Sequence, residues 1–371
     1  MSNPAPPTDM DTVEVIMQAL REPASPARAT VAGKALVVGA SGTAGSYIGA
    51  ALRGQSAWDV VELGRRSGNI RADLLDRQAL VQALGPAADV THAFFVARLA
   101  APTLEREIED NVAALTHLLD ALQEVRSPLK RLVLMEGTKW YGSHLGSYPV
   151  PAVESGRSPT PYYYHAQQDA LAQRAADGGF AWTALRPHTV LGYTQKPEHN
   201  FLLLLAMYAA LQAAHGGPLH FPGSTGRWTL PTVATNAELL GAAALWAATA
   251  DAAAGEAFNV NNGDVLSWPS VWASIAVFFG VEPAGPSHTR LAEAMPARHE
   301  EWKQLVERHG LVDMPWPDAR CWAYADGICM PERADIIPTQ KITSAGFAGR
   351  ADTRQSIIDI FSRFRRERLI P

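Results

Sequence analysis

The sequence predicts an α/β fold, in which a doubly wound parallel sheet carries a smaller, mostly helical C-terminal lobe. Three observations support this prediction. An apolar strand pattern at 35–38 ends in a glycine turn and is followed at once by a helix pattern. Short apolar runs then alternate with helical periodicity up to Pro187, as expected of parallel strands joined by crossover helices. From Ser267 onward helices and aromatic loops predominate.

The first half of the chain supplies most strands and helices of the predicted sheet. The run 90–96 is almost continuously apolar, as a strand buried on both faces requires. Apolar residues in 105–125 recur at helical spacing. The predicted strands are 35–38, 60–63, a short one around Ile70, 90–96, 131–135 and 181–185, and the predicted helices are 43–53, 76–84, 105–125 and 164–177.

The chain after Pro187 is divided between the sheet and the lobe. We predict a helix at 201–214, a turn-rich segment at 218–231, and a helix at 236–249 with a strand at 257–260 that return to the sheet. The predicted domains are a mobile extension at 1–30, a nucleotide-binding domain at 31–195 with 232–262, and a substrate-binding lobe at 196–231 and 263–371. A short helix at 10–21 is an alternative for part of the extension.

Composition excludes several classes of partner. The chain has 371 residues, 47% of them hydrophobic, with a net charge of −5, which argues against nucleic acid and anionic membranes. Its two cysteines, Cys321 and Cys329, are too few for a disulfide framework. We see no signal peptide in 1–30 and no apolar run of the roughly 18 residues that a membrane helix needs. We therefore expect a cytoplasmic protein.

The glycine turn predicts a dinucleotide site. Gly39 would allow the tight turn, Gly42 would let the backbone approach a pyrophosphate, and Gly45 would let the helix pack closely on the strand. The helix N-terminus favours an anion at this place. An ordinary structural turn is the alternative. The residues predicted to bind the cofactor here are Gly39, Ser41, Gly42, Thr43, Ala44 and Gly45.

The end of the second predicted strand favours NADPH as the cofactor. The sequence there is Glu62-Leu-Gly64-Arg65-Arg66, and two arginines suit a 2′-phosphate, for which Gly64 would leave room. Glu62 shares a strand face with Gly64 and would instead suit a ribose hydroxyl. A solvated turn is the alternative for the arginines. We expect Asp73 and Leu74, after the third strand, to lie near the adenine, with an ordinary surface position as the alternative for Asp73.

A tyrosine run and a lysine are the candidate catalytic groups. Hydride reduction next to a carbonyl needs a proton or hydrogen-bond donor on the substrate oxygen. The spacing Gly39-x-x-Gly42-x-x-Gly45 is typical of short-chain dehydrogenases/reductases, in which this donor is normally a tyrosine with a lysine four residues later. Here Tyr162, Tyr163 and Tyr164 precede a helix that has no such lysine. A lysine stands instead at Lys139, in the loop after the fifth strand, where active sites of α/β proteins form.

Several stretches resemble one family of atypical short-chain dehydrogenases/reductases, that of progesterone 5β-reductase and iridoid synthase. The resemblance runs from about residue 34 to the end of the chain, and the lysine in the loop is its most specific feature. The stretches are Leu36-Val-Val-Gly-Ala-Ser-Gly-Thr-Ala-Gly45, Gly64-Arg-Arg66, Asp89-Val-Thr-His-Ala-Phe-Phe-Val96, Thr138-Lys-Trp-Tyr-Gly142, Tyr162-Tyr-Tyr164, Leu185-Arg-Pro187, Ala257-Phe-Asn-Val-Asn-Asn-Gly-Asp264 and Ile370-Pro371.

The resemblance implies a Rossmann-type sheet and NADPH-dependent reduction of the carbon–carbon double bond of enones and enals. It implies that Lys139 and Tyr164 are catalytic and contact the cofactor, together with Ala97 and the backbone of Val190. Leu145 and Tyr324 fall at aromatic pocket positions of the family, so Leu145 is a departure that would open the pocket. Arg98, in a pair that replaces Thr-Trp, would place a charge near the mouth of the pocket.

The chemistry expected from these residues is consistent with the resemblance. Hydride would reach the β-carbon of the substrate, Tyr164 would bind the oxygen of the developing enolate, and Lys139 would hold the cofactor and lower the pKa of the tyrosine. The alternative for Tyr164 is that the tyrosine run is an aromatic stripe packed in the core. The alternative for Lys139 is an ordinary surface loop. Carbonyl reduction by the same pair and a non-catalytic nucleotide sensor are the other functions considered.

The sequence also predicts the class of partner and the absence of a metal. The partner would be a small hydrophobic enone, enal or carbonyl compound, with no nucleic acid and no membrane, and a homodimer is left open. His144, His165, His188 and His220 are assigned to packing or to the surface. No His, Asp or Glu grouping has the spacing of a metal site, so we expect no metal.

Overall fold

The fold is organised around a seven-stranded parallel sheet. The computed structural model describes residues 33–371. The sheet has the strand order β10-β6-β5-β4-β1-β2-β3. The strands are β1 (Gly33–Val38), β2 (Trp58–Gly64), β3 (Ile70–Arg71), β4 (Val90–Phe95), β5 (Arg131–Met135), β6 (Ala181–Pro187), β7 (Val190–Leu191), β8 (Leu219–Phe221), β9 (Thr235–Asn236), β10 (Glu256–Val260) and β11 (Pro283–Pro286).

Helices cover both faces of this sheet and form the C-terminal region. They are α1 (Thr43–Arg53), α2 (Arg77–Leu84), α3 (Leu104–Glu124), α4 (Tyr163–Gly178), α5 (Phe201–Ala214), α6 (Thr225–Thr229), α7 (Ala237–Thr249), α8 (Trp268–Phe279), α9 (Leu291–Ala294), α10 (His299–His309), α11 (Ala319–Cys329), α12 (Gln340–Ser344) and α13 (Thr353–Arg366). Short 3₁₀ turns lie between them, and the one at Thr138–Tyr141 carries the candidate lysine.

Alternate side chains of β1 point to opposite faces of the sheet, as the period of a strand requires. Ala35 and Val37 pack with α1 and α7 on one face. Leu36 and Val38 pack with α2, α3 and α4 on the other. All of these strand residues have no measurable exposure. The near-continuous apolar runs of β1 and β4 are thereby explained, because both faces of these strands are buried.

A separate hydrophobic cluster fills the C-terminal region. The helix α5 is buried on every side from Phe201 to Leu211, which accounts for its uninterrupted apolar sequence. It packs among aromatic residues of later helices, including Trp272 and Trp322. The chain end belongs to this cluster, since Ile370 is only 1% exposed. None of the helices within 33–371 combines the length and apolarity needed to cross a membrane.

The predicted elements agree closely with those observed. The bounds of α1, β5 and α5 are those predicted, and β10 returns to the sheet beside β6. The short strand predicted around Ile70 is confirmed as β3, but other short elements were not predicted. The prediction missed the two-stranded sheets β7–β9 and β8–β11, and its turn-rich segment 218–231 contains both β8 and α6. The extension and helix predicted within 1–30 lie outside the described residues, and the division into domains stays a prediction.

The order of the strands positions the functional region. Strand β1 has β2 on one side and β4 on the other, and the chain direction of the crossovers reverses between β1 and β4. In open parallel sheets, ligands bind outside the carboxyl ends of the strands at this reversal. The glycine turn follows β1, and residues 96–98 follow β4, so both lie at this reversal on the carboxyl edge of the sheet.

Candidate active site

The glycine turn after β1 is built as the predicted fingerprint requires. Gly39 has a φ of +89°. A Cβ on Gly39 would lie 2.8 Å from the backbone nitrogen of Ala97, so the segments that follow β1 and β4 are in close backbone contact here. A Cβ on Gly45 would lie 2.3 Å from the carbonyl oxygen of Gly39, so this glycine allows the helix to pack on the turn. The structure therefore leaves no room for a side chain at either position.

Gly42 differs from the other two glycines because the protein itself leaves space beside it. A Cβ there would contact only the carbonyl oxygen of Gly39, at 3.6 Å. Gly42 is also the N-cap of α1, and no side chain caps that helix end. Ser41 and Gly42 are exposed, and Thr43 and Ala44 are half-buried. The turn thus offers open space and uncapped backbone N–H groups, which fits a pyrophosphate.

The loop after β2 presents both arginines to solvent. Arg65 and Arg66 are exposed. The Glu62 carboxylate is bound by Arg53 Nη1 at 2.6 Å, so this acid is paired with the end of α1. One expectation is corrected here. A Cβ on Gly64 would lie 2.7 Å from the carbonyl oxygen of Ser67, so the space beside Gly64 is filled by the loop's own backbone.

The predicted adenine-side residues lie after β3. Asp73 is exposed, and its carboxylate accepts a hydrogen bond from the backbone N–H of Leu75 at 2.9 Å. Leu74 is half-buried, and its carbonyl oxygen lies 3.2 Å from Nδ1 of His117. Both residues are at the carboxyl edge of the sheet, on the same side of β1 as the arginines.

A buried arginine fixes the loop of residues 136–142, called the lysine loop below. Arg186, in β6, is 1% exposed, and its Nε donates to Glu136 Oε2 at 2.7 Å. Its guanidinium lies 3.7 Å from the centroid of the Trp140 ring. It also donates to the carbonyl oxygen of Glu154 at 3.0 Å and to Gln168 Oε1 at 2.8 Å. One side chain thus joins β6, the lysine loop and α4.

The rest of the lysine loop is held from β10 and α4. The Tyr141 hydroxyl donates to Asn259 Oδ1 at 2.7 Å. Asn259 in turn donates through its side-chain amide to the carbonyl oxygen of Ala152 at 2.9 Å. On the α4 side, Nε2 of His165 lies 2.8 Å from the carbonyl oxygen of Trp140. The backbone around Lys139 is therefore fixed on both sides.

Lys139 reaches the tyrosine run through its first member. The Lys139 ammonium donates to the Tyr162 hydroxyl at 3.1 Å. The Tyr162 hydroxyl donates to Glu107 Oε1, 3.4 Å away on α3, and the same oxygen accepts from Arg98 Nε at 2.9 Å. Tyr164 lies alongside, since a Cβ on Gly137 would be 3.6 Å from its hydroxyl oxygen. The structure therefore gathers the predicted pair, Lys139 and Tyr164, with Tyr162 as the direct partner of the lysine.

The electrostatics of this cluster follow from its burial. Burial lowers the pKa of Lys139 to about 8, with a further lowering by Arg98 that Glu107 opposes. Burial raises the pKa of the Tyr164 hydroxyl, whereas Tyr163 and Arg98 act to lower it. The tyrosine therefore keeps its proton at neutral pH. The pKa of Lys139, about 8, lies only slightly above neutral pH.

Residues of the C-terminal region complete the surroundings. Tyr324, on α11, is half-buried, and burial raises its pKa to about 12, with smaller effects of Arg98 and Tyr164. Its ring lies 5.1 Å from that of His199. Loss of hydration lowers the pKa of His199, and so do the charges of Arg98 and Lys139. Arg98 shares the Glu107 carboxylate with Tyr162, and the pocket roles of Tyr324 and Arg98 stay predictions.

Two predicted pocket or cofactor residues are less enclosed. Leu145 is 52% exposed, and its backbone N–H donates to the carbonyl oxygen of Gly142 at 2.9 Å. Val190 is half-buried in β7 and pairs with Thr235 of β9. Leu145 thus borders the lysine loop from the solvent side, and Val190 lies after β6 at the carboxyl edge.

The sequence reasoning missed Glu107 and His199 as members of the site. Neither belongs to a motif, and each enters from a segment distant from the lysine loop, so only the packing of α3 and of residues 196–200 brings them in. Of the assigned histidines, His165 is buried and His220 is exposed. His144 is a packing histidine, since its ring lies 4.6 Å from that of Tyr162.

The fold and the site define a class of protein, a Rossmann-fold oxidoreductase of the short-chain dehydrogenase/reductase type. The model of the PRISE-like Rossmann-fold domain family matches residues 75–371. The chain belongs to this family, as the resemblance implies. Membership in the family supports the prediction that the protein is an oxidoreductase.

Curated relatives match over most of their length. An (S)-8-oxocitronellyl enol synthase of Catharanthus roseus is 27% identical over 362 residues, which are 91% of this chain and 92% of the relative. A 3-oxo-Delta(4,5)-steroid 5-beta-reductase of Arabidopsis thaliana is 27% identical over 366 residues, which are 91% of this chain and 93% of the relative.

Solved structures share the fold at lower identity. A UDP-glucose 4-epimerase of Thermotoga maritima has a TM-score of 0.64 at 16% identity, covering 90% of this chain and 99% of its own. RMD of Pseudomonas aeruginosa, solved with NADPH, has a TM-score of 0.64 at 16% identity, covering 90% of this chain and 97% of its own. These likenesses confirm the predicted fold class.

The buried arginine generates a prediction about stability. Arg186→Met should lower the free energy of unfolding by about 3–5 kcal/mol, because it leaves the Glu136 carboxylate buried without its counter-ion. The double variant Arg186→Met/Glu136→Leu should recover much of this loss. Chemical denaturation followed by circular dichroism measures both. A single variant as stable as the parent protein would contradict the role given to this ion pair.

Proposed function

We propose that the protein uses NADPH to reduce the carbon–carbon double bond of a conjugated enone or enal. The observation that carries this proposal is the cluster of Lys139 with Tyr162 and Tyr164 at the carboxyl edge of the sheet, the same edge that carries the open glycine turn. The names of the two curated relatives describe an oxo-terpenoid and a 3-oxo-Delta(4,5) steroid. We therefore propose substrates of steroid-like or terpenoid-like size and polarity.

The residues present fit a nicotinamide cofactor with a 2′-phosphate. Gly42 and the uncapped end of α1 would receive the pyrophosphate. Arg65 and Arg66 are exposed beside the position expected for the adenosine ribose, and the acid that would compete for that ribose, Glu62, is paired with Arg53. Asp73 and Leu74 would lie near the adenine, and Val190 near the nicotinamide.

The protein's own groups would act on the carbonyl oxygen of the substrate. When bound, the reduced cofactor supplies hydride. As negative charge develops on the substrate oxygen, the Tyr164 hydroxyl would donate a hydrogen bond to it. Burial raises the pKa of Tyr164, so the hydroxyl is protonated and able to donate. Lys139 would supply positive charge next to the tyrosine and hold the nicotinamide end in place.

A substrate panel tests the proposal. NADPH oxidation would be followed with enones, enals, saturated aldehydes and saturated ketones, and the products identified by mass spectrometry. We expect saturated carbonyl products from enones or enals. Alcohols formed from the saturated aldehydes or ketones alone would show carbonyl reduction instead, and no turnover with any compound would favour a nucleotide sensor.

The arginine pair generates a prediction about cofactor choice. NADPH should bind about 10- to 100-fold more tightly than NADH, since one charge-assisted contact contributes about 1.5–3 kcal/mol. Arg65→Ala/Arg66→Ala should remove most of this preference. Arg320→Ala, which removes an arginine whose side chain is 93% exposed on α11, is the matched control. Calorimetric titration of each protein with both nucleotides measures the effect, and equal affinities in the parent protein would refute the assignment.

The space beside Gly42 generates a second prediction about the cofactor. Gly42→Ser should leave thermal stability unchanged or raise it, because serine fits there and can cap α1. It should weaken NADPH binding at least tenfold, because its side chain would occupy the place of the pyrophosphate. Gly45→Ala should instead destabilise the fold by about 1–3 kcal/mol. If Gly42→Ser binds NADPH as tightly as the parent, the pyrophosphate does not lie there.

The tyrosine run generates a prediction about the reaction. Tyr164→Phe should lower turnover of the best substrate by roughly 10²–10³-fold with cofactor affinity retained, since one donor to the developing charge is lost. Tyr208→Phe is the matched control, because it removes a hydroxyl from a tyrosine of α5 that is 1% exposed and donates to the carbonyl oxygen of His220, outside the site. Steady-state kinetics on both variants measures the difference. Equal turnover in Tyr164→Phe and the parent would remove Tyr164 from the proposed site.

A further inference from the structure

The hydrogen bonds around Lys139 form a chain with one direction. An ammonium group can only donate, a tyrosine hydroxyl can accept one bond and donate another, and a carboxylate can only accept. The observed order satisfies all three rules. Lys139 donates to Tyr162 at 3.1 Å, and Tyr162 donates to Glu107 at 3.4 Å. Glu107 therefore ends the chain as its acceptor, and it also accepts from Arg98 at 2.9 Å.

We propose that Tyr162 and Glu107 are positioning residues for Lys139, which hold its ammonium group in the site through two consecutive hydrogen bonds and compensate its charge. The catalytic meaning of this chain rests on the proposed function. The chain itself is a property of the protein without cofactor or substrate. It assigns the tyrosine run two separate tasks, since Tyr162 serves the lysine and leaves the Tyr164 hydroxyl for the substrate.

Burial makes such a chain necessary. Tyr162 is 2% exposed, and the Glu107 side chain is 13% exposed, so the ammonium group has little water in the direction of these partners. A cation without solvent or counter-ion is driven toward its neutral form. The Tyr162 ring also lies 5.2 Å from the ammonium nitrogen, within the range of a cation–π contact. Glu107 thus provides the negative charge, and Tyr162 transmits it and fixes the geometry.

The charged and titratable groups near Lys139 act in opposite directions. Burial and the Arg98 guanidinium lower its pKa, and Glu107 raises it. The groups that face it from neighbouring segments are Arg98, Glu107, His144, Tyr162 and His199. Arg98 and Glu107 carry opposite charges, so removing either side chain leaves the charge of the other uncompensated at the lysine. Their substitutions should therefore shift the pKa of Lys139 in opposite directions, which a merely structural role of the pair does not require.

Titration of the lysines by nuclear magnetic resonance tests the proposal. Full-length protein would be labelled with ¹³C at lysine Cε, and the signal lost in Lys139→Met would identify Lys139. The lysines of the chain are Lys34, Lys130, Lys139, Lys196, Lys303 and Lys341, which keeps the spectrum simple. The chemical shift against pH then gives the pKa of Lys139 in each variant without cofactor or substrate.

The expected shifts have defined signs. Glu107→Gln removes the carboxylate at nearly constant shape and should lower the pKa of Lys139 by about 0.5–1, the equivalent of one hydrogen bond. Tyr162→Phe should lower it similarly, and Arg98→Met should raise it. Tyr163→Phe is the matched control and should change it far less, because the adjacent hydroxyl makes no hydrogen bond to the lysine in the part of the chain described.

The results separate this inference from the proposed function. A Lys139 pKa that is the same in Glu107→Gln as in the parent protein would overturn the inference, even if Tyr162→Phe failed to fold. Shifts of the expected signs would support it, including in a protein that reduces no compound of the substrate panel. Reduction of enones with an unshifted Lys139 would instead support the function and refute the chain.

Discussion

The buried ion pair between Arg186 and Glu136 is the interaction on which the site depends. A guanidinium that is 1% exposed needs acceptors for its donors, and the structure supplies them from the lysine loop, α4 and the segment at Glu154. These elements are consequently held at fixed distances around the face of Trp140. Since Trp140 follows Lys139 directly, the position of the lysine in the site is a consequence of how the arginine is satisfied.

Several sequence motifs of the family therefore act through this frame rather than on a substrate. Arg186 belongs to Leu185-Arg-Pro187, and Asn259 belongs to the stretch after Ala257, yet neither is among the candidate catalytic groups. Asn259 Oδ1 accepts a hydrogen bond from the Tyr141 hydroxyl at 2.7 Å, which connects the end of the lysine loop to β10. A lysine placed on a loop, rather than on a helix, lacks the helix's own rigidity. The buried polar contacts of the motif residues supply that rigidity instead.

The sequence predicted the fold well because local signals and burial agree. The strands around β1 are buried on both faces, so continuous apolar runs marked them, and the glycine turn marked the start of α1. The site was only partly predictable. Lys139, Tyr164 and Arg98 were predicted from motifs and from the resemblance, but the hydrogen bond of the lysine to Tyr162 depends on side-chain placement at the start of α4. Glu107 and His199 come from distant segments that carry no motif, and the packing of Ser67 against Gly64 is likewise invisible in sequence.

The site balances two effects of burial that would otherwise conflict. A tyrosine that must donate a proton benefits from burial, because burial raises its pKa and keeps the hydroxyl protonated. A lysine that must stay charged is harmed by the same burial, which lowers its pKa to about 8. Moving the lysine closer to Tyr164 would not resolve this conflict, since the tyrosine is neutral. A carboxylate resolves this conflict. Glu107 is linked to the lysine through the Tyr162 hydroxyl, which accepts from the ammonium group and donates to the carboxylate. The negative charge therefore supports the lysine without lying against the oxygen on which the substrate's own negative charge would develop.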